Sequence, residues 1–271
     1  MKPMIACIKE RRSVRTFDGQ PSEQSLQQLL CFAETIDNPY GIPVSFKLMD
    51  AKEKGLSCPV VVGTDLYMGG KIKNVPNANI AFGYSFEAMV LYAQSLGIGT
   101  VWLGGTMNRS AYEAAMELAP DEIMPCASPI GTAAKRMSVR ETLMRKGVKA
   151  DERLPFAELF FDGSFEKPLS PDNAGIFSEL LEMVRLAPSA VNKQPWRVIV
   201  KDHTAHFYLK RSSSVKPTAK LDMQMIDMGI ALCHFALTAK EAGVNAAFML
   251  HDPLLVSDGT ASYVASYRIL E

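Results

Sequence analysis

The stretches "GYSFEAMVLYAQSLG" at 83–97 and "GIALCHFALTAKEAG" at 229–243 each carry a glycine at both ends, and a single shift of 146 superposes both pairs. Under that shift Leu91 meets Leu237, Ala93 meets Ala239 and Trp102 meets Phe248. Upstream, "PSEQSLQQLL" (21–30) meets "PDNAGIFSEL" (171–180) with a shift of 150, which also brings Phe46 onto Trp196. Downstream, "CASPIG" parallels "VASYRI". A drift of a few residues is what loop insertions leave between copies of one supersecondary unit. The sequence therefore predicts two similar α+β units, residues 1–150 and 151–271, forming a pseudo-dimer within one chain.

Hydrophobic periodicity fills in each unit. Helices are expected over 22–36, with Ser22 as N-cap, and over 84–97, ending at Gly97. Further helices are expected over 109–118, where Asn108 can cap, and over 138–153, 173–186 and 222–242. Strands are expected over 44–49, 59–63, 100–103, 124–131, 197–200, 205–209, 246–250 and 263–269. The helices at 84–97 and 222–242 are apolar nearly all round, which is the pattern of a buried helix.

Composition narrows the function. Lys+Arg 29 balances Asp+Glu 29, so a polyanion partner is not indicated and no nucleic-acid binding is expected. No apolar run reaches the roughly 18 residues that span a bilayer. The first residues, "MKPMIACIKERRSVRTF", lack a signal-peptide core. Five widely spaced cysteines form no CxxC pair, and four histidines show no ligand spacing, so neither a disulfide framework nor a metal site is supported. A cytoplasmic protein that does not associate with membranes is the expectation.

Three motifs carry chemistry. In "KERRSVRTFDG" (9–19), Arg11, Arg12 and Arg15 flank Ser13. A guanidinium donates two parallel hydrogen bonds to a phosphate, and the hydroxyl adds a donor. A solvated basic patch is the plainer alternative. In "APSAVNKQPW" (187–196), Ser189, Asn192 and Gln194 offer donors and acceptors suited to a planar heterocycle, Pro188 and Pro195 stiffen the loop, and Trp196 starts a strand and packs inward. A tight helix-to-strand connection is the alternative. In "VWLGGTMN" (101–108), Leu103, Gly104 and Gly105 follow an apolar strand, and paired glycines let backbone approach a ligand face. No GxGxxG follows a strand, so no Rossmann dinucleotide site is indicated.

Together, "RRSVRTF", "APSAVNKQPW", "GIGTVWLGG" and "ERLPFAEL" resemble the FMN-dependent nitroreductase family, especially its single-chain subgroup with a duplicated unit. The resemblance spans about 8–250. In that family the arginine string of one subunit holds the FMN phosphate, while the Pro-Ser-Asn loop of the other meets the ring. Here the two strings are split. The first half keeps the arginines, but its loop reads "DNPYGIPVSF"; the second keeps the loop, but its counterpart of the arginine string reads "FFDGSFEKP". The resemblance thus implies one FMN site per chain, assembled from both halves, and one vestigial site that stays empty for want of cations. By the same resemblance Arg11, Ser13 and Arg153 hold the phosphate, and Arg12 and Arg15 lie along the ribityl and pyrimidine side. Lys135 or Arg136 replaces a family lysine that is Asp151 here. Pro188, Ser189 and Asn192 line the ring, and Leu103, Gly104 and Gly105 run against it.

The resemblance further implies an oxidoreductase in which NADH or NADPH passes a hydride to flavin N5, followed by a nitroaromatic or quinone-like acceptor in ping-pong order. No side chain stands out as a catalytic acid or base, and water can supply protons. The alternatives are a more specific flavin reaction on the same fold, of dehalogenase or ene-reductase type, and a protein that stores FMN without turnover. A monomeric pseudo-dimer is expected, with further homo-oligomerisation left open.

Overall fold

The computed structural model describes residues 2–255 and 259–270. The chain divides into two compact units, Met1–Ala150 and Asp151–Glu271. The first unit holds α1 (Met4–Glu10), α2 (Glu23–Ala33), β1 (Val44–Asp50), α3 (Ala51–Lys54), β2 (Leu66–Lys73), α4 (Ala78–Ser95), β3 (Ile98–Thr100), α5 (Arg109–Ala115), β4 (Glu122–Ile123), β5 (Ala127–Thr132) and α6 (Val139–Gly147). Ser22 starts α2 by accepting the Ser25 amide at 3.1 Å, satisfying one of the donors a helix start leaves open. α4 is apolar nearly all round because it is enclosed: Ile80, Phe82, Phe86, Met89 and Val90 are fully buried. Gly97 ends it with φ +75°, a conformation that costs a glycine nothing.

The first sheet is antiparallel, in the order β1-β2-β5-β3, with β4 beside β2. Three sequence expectations change here. Residues 59–63 form a turn, not a strand; only Val62 makes an isolated bridge, to Thr16. The strand in this region is instead β2, whose Gly69 and Gly70 hid it from a propensity reading. Those glycines are required by packing: a Cβ on Gly70 would fall 2.9 Å from the Phe82 ring. Asn108 precedes α5, but its side chain makes no cap bond and accepts the Ser110 hydroxyl instead.

The second unit holds α7 (Phe156–Leu159), β6 (Phe160–Asp162), a 3₁₀ turn at Pro171–Asn173, α8 (Phe177–Arg185), a 3₁₀ turn at Ala190–Asn192, β7 (Trp196–Lys201), β8 (Thr204–Leu209), α9 (Met223–Glu241), β9 (Ala246–Met249) and β10 (Ser262–Ile269). The helix expected from 173 starts only at Phe177, because Gly175 takes φ +53°. The sheet order is β6-β7-β8-β10-β9, with β6 parallel to β7 and the rest antiparallel. With β6 here and β4 there set aside, this is the strand order of the first unit, and in both units the long buried helix follows the second of the four shared strands, β2 and β8. Gly243 follows α9 with φ +70°, as Gly97 follows α4. Trp196 is fully buried at the start of β7. The segment "FFD", counterpart of the arginine string, is here strand β6.

The arginine string lies as an extended strap in the first unit. Val14 N–H donates to Thr100 O (2.8 Å), Val62 N–H to Arg15 O (2.9 Å), Phe17 N–H to Val62 O (2.8 Å) and Ala134 N–H to Thr16 O (3.0 Å). Gly63 makes this docking geometrically feasible: φ is +87°, and a Cβ there would sit 2.0 Å from the Phe17 carbonyl oxygen. Gly63→Ala adds backbone strain and a clash with fixed backbone, and should cost roughly 2–5 kcal/mol in a urea unfolding titration. Gly105→Ala, where no atom lies within 4 Å of the added Cβ, should cost less than about 1 kcal/mol.

Candidate functional site

α1 ends where the Arg11 N–H caps Cys7 O at 2.8 Å, and the chain turns extended. Extended backbone alternates its side chains, so Arg11, Ser13 and Arg15 share one side of the strap, and Arg12, Val14 and Thr16 the other. Arg12 Nη1 and Thr16 Oγ1 both donate to Glu141, at 3.3 and 2.8 Å. Arg11 is turned inward: its side chain is 5% exposed, and its Nε lies 3.9 Å from Glu87 Oε1. The other oxygen of Glu87 accepts Trp102 Nε1–H at 2.8 Å. Burial pushes the Arg11 guanidinium below its usual pKa; Glu87 opposes this and Arg145 adds to it. Arg15 is lowered by burial as well, with Glu141 opposing and Arg145 and Arg11 adding.

Two guanidinium nitrogens in this cluster, Arg11 Nη1 and Arg15 Nε, are buried without a hydrogen-bond partner among the described residues. A buried charged donor left unpaired costs several times what an ordinary hydrogen bond contributes. Two open guanidinium donors on one side of the strap are the donor chemistry that suits a multi-oxygen anion such as a phosphate group.

Leu103 is held by reciprocal backbone bonds with Ala127, at 2.8 and 3.1 Å. Arg109 donates to Gly104 O, Met124 O and Pro125 O, which fixes the turn that follows. Gly104 is half-buried and Gly105 is exposed. Lys135 and Arg136 lie exposed in the connection between β5 and α6.

In the second unit the loop 188–195 carries three non-glycine residues with positive φ: Val191 (45°), Asn192 (57°) and Gln194 (48°). Each such conformation costs on the order of 1–3 kcal/mol and persists only where neighbours enforce it. Ser189 Oγ accepts Gln194 N–H at 2.9 Å. Buried Gln194 turns its side chain back on the loop: Oε1 accepts Leu154 N–H (2.9 Å) and Nε2 donates to Asn192 O (3.2 Å). Gln194 is thus a structural clamp, where the sequence reading grouped it with the residues that meet a heterocycle. Asn192 Nδ2 donates to Glu152 O (3.0 Å). Arg153 donates to Glu152 O (2.8 Å), to Leu186 O at the end of α8 (3.3 Å) and to Asn192 Oδ1 in the loop (3.5 Å). Pro188 and Ser189 remain half-buried.

Asp227, on α9, accepts the Ala190 N–H at 2.9 Å through Oδ1, while its Oδ2 is buried without a partner. Burial raises its carboxyl well above the usual range; the Ala190 N–H opposes this and Asp222 adds to it. A carboxyl that burial biases toward its protonated form therefore supports the loop.

The sequence reading missed Glu87, Glu141, Arg145 and Asp227. Two had a visible signal. Glu87 is the only acid in α4, and Asp227 the only acid in α9 before its last residue, Glu241. A carboxylate in an otherwise apolar helix has to meet a partner or go neutral.

Among solved structures, a Thermotoga maritima protein described as a putative nitroreductase has TM-score 0.62 and 19% identity, over 99% of this chain and 93% of that one. At that identity the likeness shows the fold, a nitroreductase fold. A nitroreductase family protein of Clostridium difficile (16% identity, 58% of this chain and 96% of that one, TM-score 0.45) and an FMN-dependent nitroreductase of Clostridium difficile (18%, 52% and 95%, 0.42) also match. No curated protein matches the chain. The family model described as "Putative TM nitroreductase" matches residues 4–239, and the chain belongs to that family. No helix among the described residues is long and apolar enough to cross a membrane.

Because the folded pKa of Asp227 is raised, its proton favours the native state. That contribution is complete below the unfolded carboxyl pKa of about 3.9 and is lost as pH rises through the folded value. Asp227→Asn keeps an acceptor for Ala190 and removes the titration. Its stability relative to wild type should therefore rise between pH 4 and neutral pH, measured by urea unfolding. Asp227→Ala strands the Ala190 N–H and should cost about 1–3 kcal/mol at acidic pH.

Proposed function

We propose that this chain is an FMN-dependent oxidoreductase that uses NADH or NADPH to reduce nitroaromatic or quinone-like acceptors. One observation carries the reading: the first unit buries Arg11 and Arg15 with guanidinium nitrogens, Arg11 Nη1 and Arg15 Nε, that no group among the described residues satisfies. Bound FMN would supply the atom that accepts and donates hydride. Arg11 and Ser13 would hold its phosphate, and Arg15, which the family resemblance sets on the ribityl and pyrimidine side, would join them because it shares their side of the strap and also buries an open nitrogen. Leu103, Gly104 and Gly105, whose turn Arg109 fixes, would border its ring. Pro188, Ser189 and Asn192 would present the pre-strained loop to the ring edge, with Asp227 and Gln194 setting that loop before any ligand arrives, so little ordering cost remains for binding. Arg153 would act through Asn192 and the loop as well as at the phosphate end. Lys135 or Arg136 would add exposed positive charge.

We further read the chain as two copies of one unit, each retaining the half of the site that the other has lost. The shared strand order and the two helix-ending glycines support this, and it implies one FMN per chain. Nicotinamide donor and acceptor would use the same ring face in turn, so no separate dinucleotide fingerprint is needed.

The purified protein should carry flavin absorbance, NADH or NADPH should bleach it without oxygen, and a nitroaromatic or quinone should restore it. Flavin that stays oxidised with both donors would leave a storage protein and end the oxidoreductase reading. Arg11→Ala combined with Arg15→Ala should weaken FMN binding on the order of 100-fold or more. A ratio of two FMN per chain would contradict the split-site reading.

A further inference from the structure

We propose that Trp196 and Asp227 form one hydrogen-bonded unit, closed by a trapped water, and that this unit positions the loop 188–195; the loop's part in flavin binding rests on the reading given above. Two polar atoms of the second unit carry the inference. Trp196 Nε1, on a fully buried side chain, and Asp227 Oδ2, on a residue 2% exposed, have no hydrogen-bond partner among the described residues. An indole N–H can only donate, and a carboxyl oxygen accepts. The two lie at one corner. Trp196 pairs with Leu209, and Val198 with Phe207, across β7 and β8. Phe207 meets Phe235 of α9 edge-on, with ring centroids 5.6 Å apart. Residues paired across strands, or two apart along one, share a sheet face, so Trp196 lies on the face that α9 covers. α9 begins at this end of the strands: Gln224 accepts Ser212 N–H at 2.7 Å and donates to Ser212 O and Val215 O, and Lys210 N–H donates to Pro195 O at 2.8 Å. Asp227 follows Gln224 by one turn on the same helix side. Both ends of the loop therefore meet the start of α9, Ala190 through Asp227 Oδ1 and Trp196 beneath it.

The first unit offers two comparisons. Its own indole, Trp102, donates to the buried Glu87 of α4 at 2.8 Å, so the pairing of an indole with the acid of a long apolar helix is already present in this fold. At the repeat positions, the shift of 150 sets Phe46 on Trp196, and the shift of 146 sets Ala81 on Asp227. Phe46 packs on Phe86 of α4, centroids 6.0 Å apart, and Ala81 is fully buried. The apolar corner is thus kept in the first unit, while both polar groups are replaced together, along with the loop they flank. Replacing one alone would strand the other as a buried, unsatisfied group; replacing both does not. Trp196 and Asp227 make no direct bond, and a buried water satisfies a donor and an acceptor that do not touch.

The chain has two tryptophans, so a proton–nitrogen NMR spectrum of the full chain carries two indole N–H resonances, assigned with Trp102→Phe. Asp227→Asn and Asp227→Ala should each move the Trp196 resonance and leave that of Trp102 in place, and Glu87→Gln should do the reverse. The Trp196 indole proton should also show cross-relaxation to a long-lived water. Riboflavin, which has no phosphate, then reports on the loop through its fluorescence. Trp196→Phe and Asp227→Ala should each weaken riboflavin binding on the order of 10-fold, and the double variant should be no weaker than either, because the two remove one shared link. Asp227→Asn, which keeps an acceptor for Ala190, should retain most of the affinity. A Trp196 resonance that ignores both Asp227 variants, or one with no water contact, overturns the unit. Losses that multiply to on the order of 100-fold in the double variant make the residues independent and overturn it as well. Riboflavin affinity unchanged in every variant overturns the positioning role. If wild type binds neither riboflavin nor FMN, the flavin reading falls, and the resonances alone decide whether Trp196 and Asp227 are joined.

Discussion

A buried guanidinium beside a buried carboxylate, Arg11 against Glu87, is the constraint around which the first unit is arranged. At 3.9 Å the pair is close enough to attract but offers no short hydrogen bond. Glu87 is also committed to Trp102. The carboxylate thus offsets part of the cost of burying Arg11 and leaves a donor open. The rest of the strap is immobilised on either side by backbone bonds to Val62, Thr100, Thr132 and Ala134. The Arg11 side chain, 5% exposed, is enclosed at the start of that docked segment. The open donor is consequently a fixed, preorganised feature, and preorganised donors are what an anion site requires.

The second unit meets a different demand by different means. Its loop holds Val191, Asn192 and Gln194 at positive φ, against the preference of L side chains. No cation cluster is needed there; a closed set of hydrogen bonds is. Ser189, Gln194, Asn192 and Arg153 bond within the loop and to its flanks, and Asp227 anchors it from α9. The same low-polarity surroundings that depress Arg11 raise Asp227. Desolvation disfavours charge of either sign, so it lowers the pKa of a guanidinium in one place and raises that of a carboxyl in the other.

Membership of the nitroreductase family fits this division, and the physical arguments run without it. The strap supplies excess positive charge, and the loop supplies rigid polar groups. Each is held by a buried acidic residue on a long apolar helix, Glu87 on α4 and Asp227 on α9. The helices themselves are shielded by their sheets, and both end at a glycine in the left-handed region.

By itself the sequence determined the long buried helices, the caps at Ser22 and Gly97, the buried Trp196 and the list of arginines and loop residues. Each rests on local rules: periodicity, capping chemistry and residue type act over a few positions along the chain. It did not yield β2, because Gly69 and Gly70 look like breakers until the side chains of Met116, Met49 and Phe82 are brought over them. Nor did it separate Gln194, a clamp, from Ser189 and Asn192, since all three are polar loop residues until their partners are known. Only the tertiary structure decided that Arg12 is taken up by Glu141, that Arg11 is buried against Glu87, and that burial raises the Asp227 carboxyl. Those outcomes depend on which groups meet across long sequence separations and on how much water is removed from around them, and neither quantity is written in neighbouring residues.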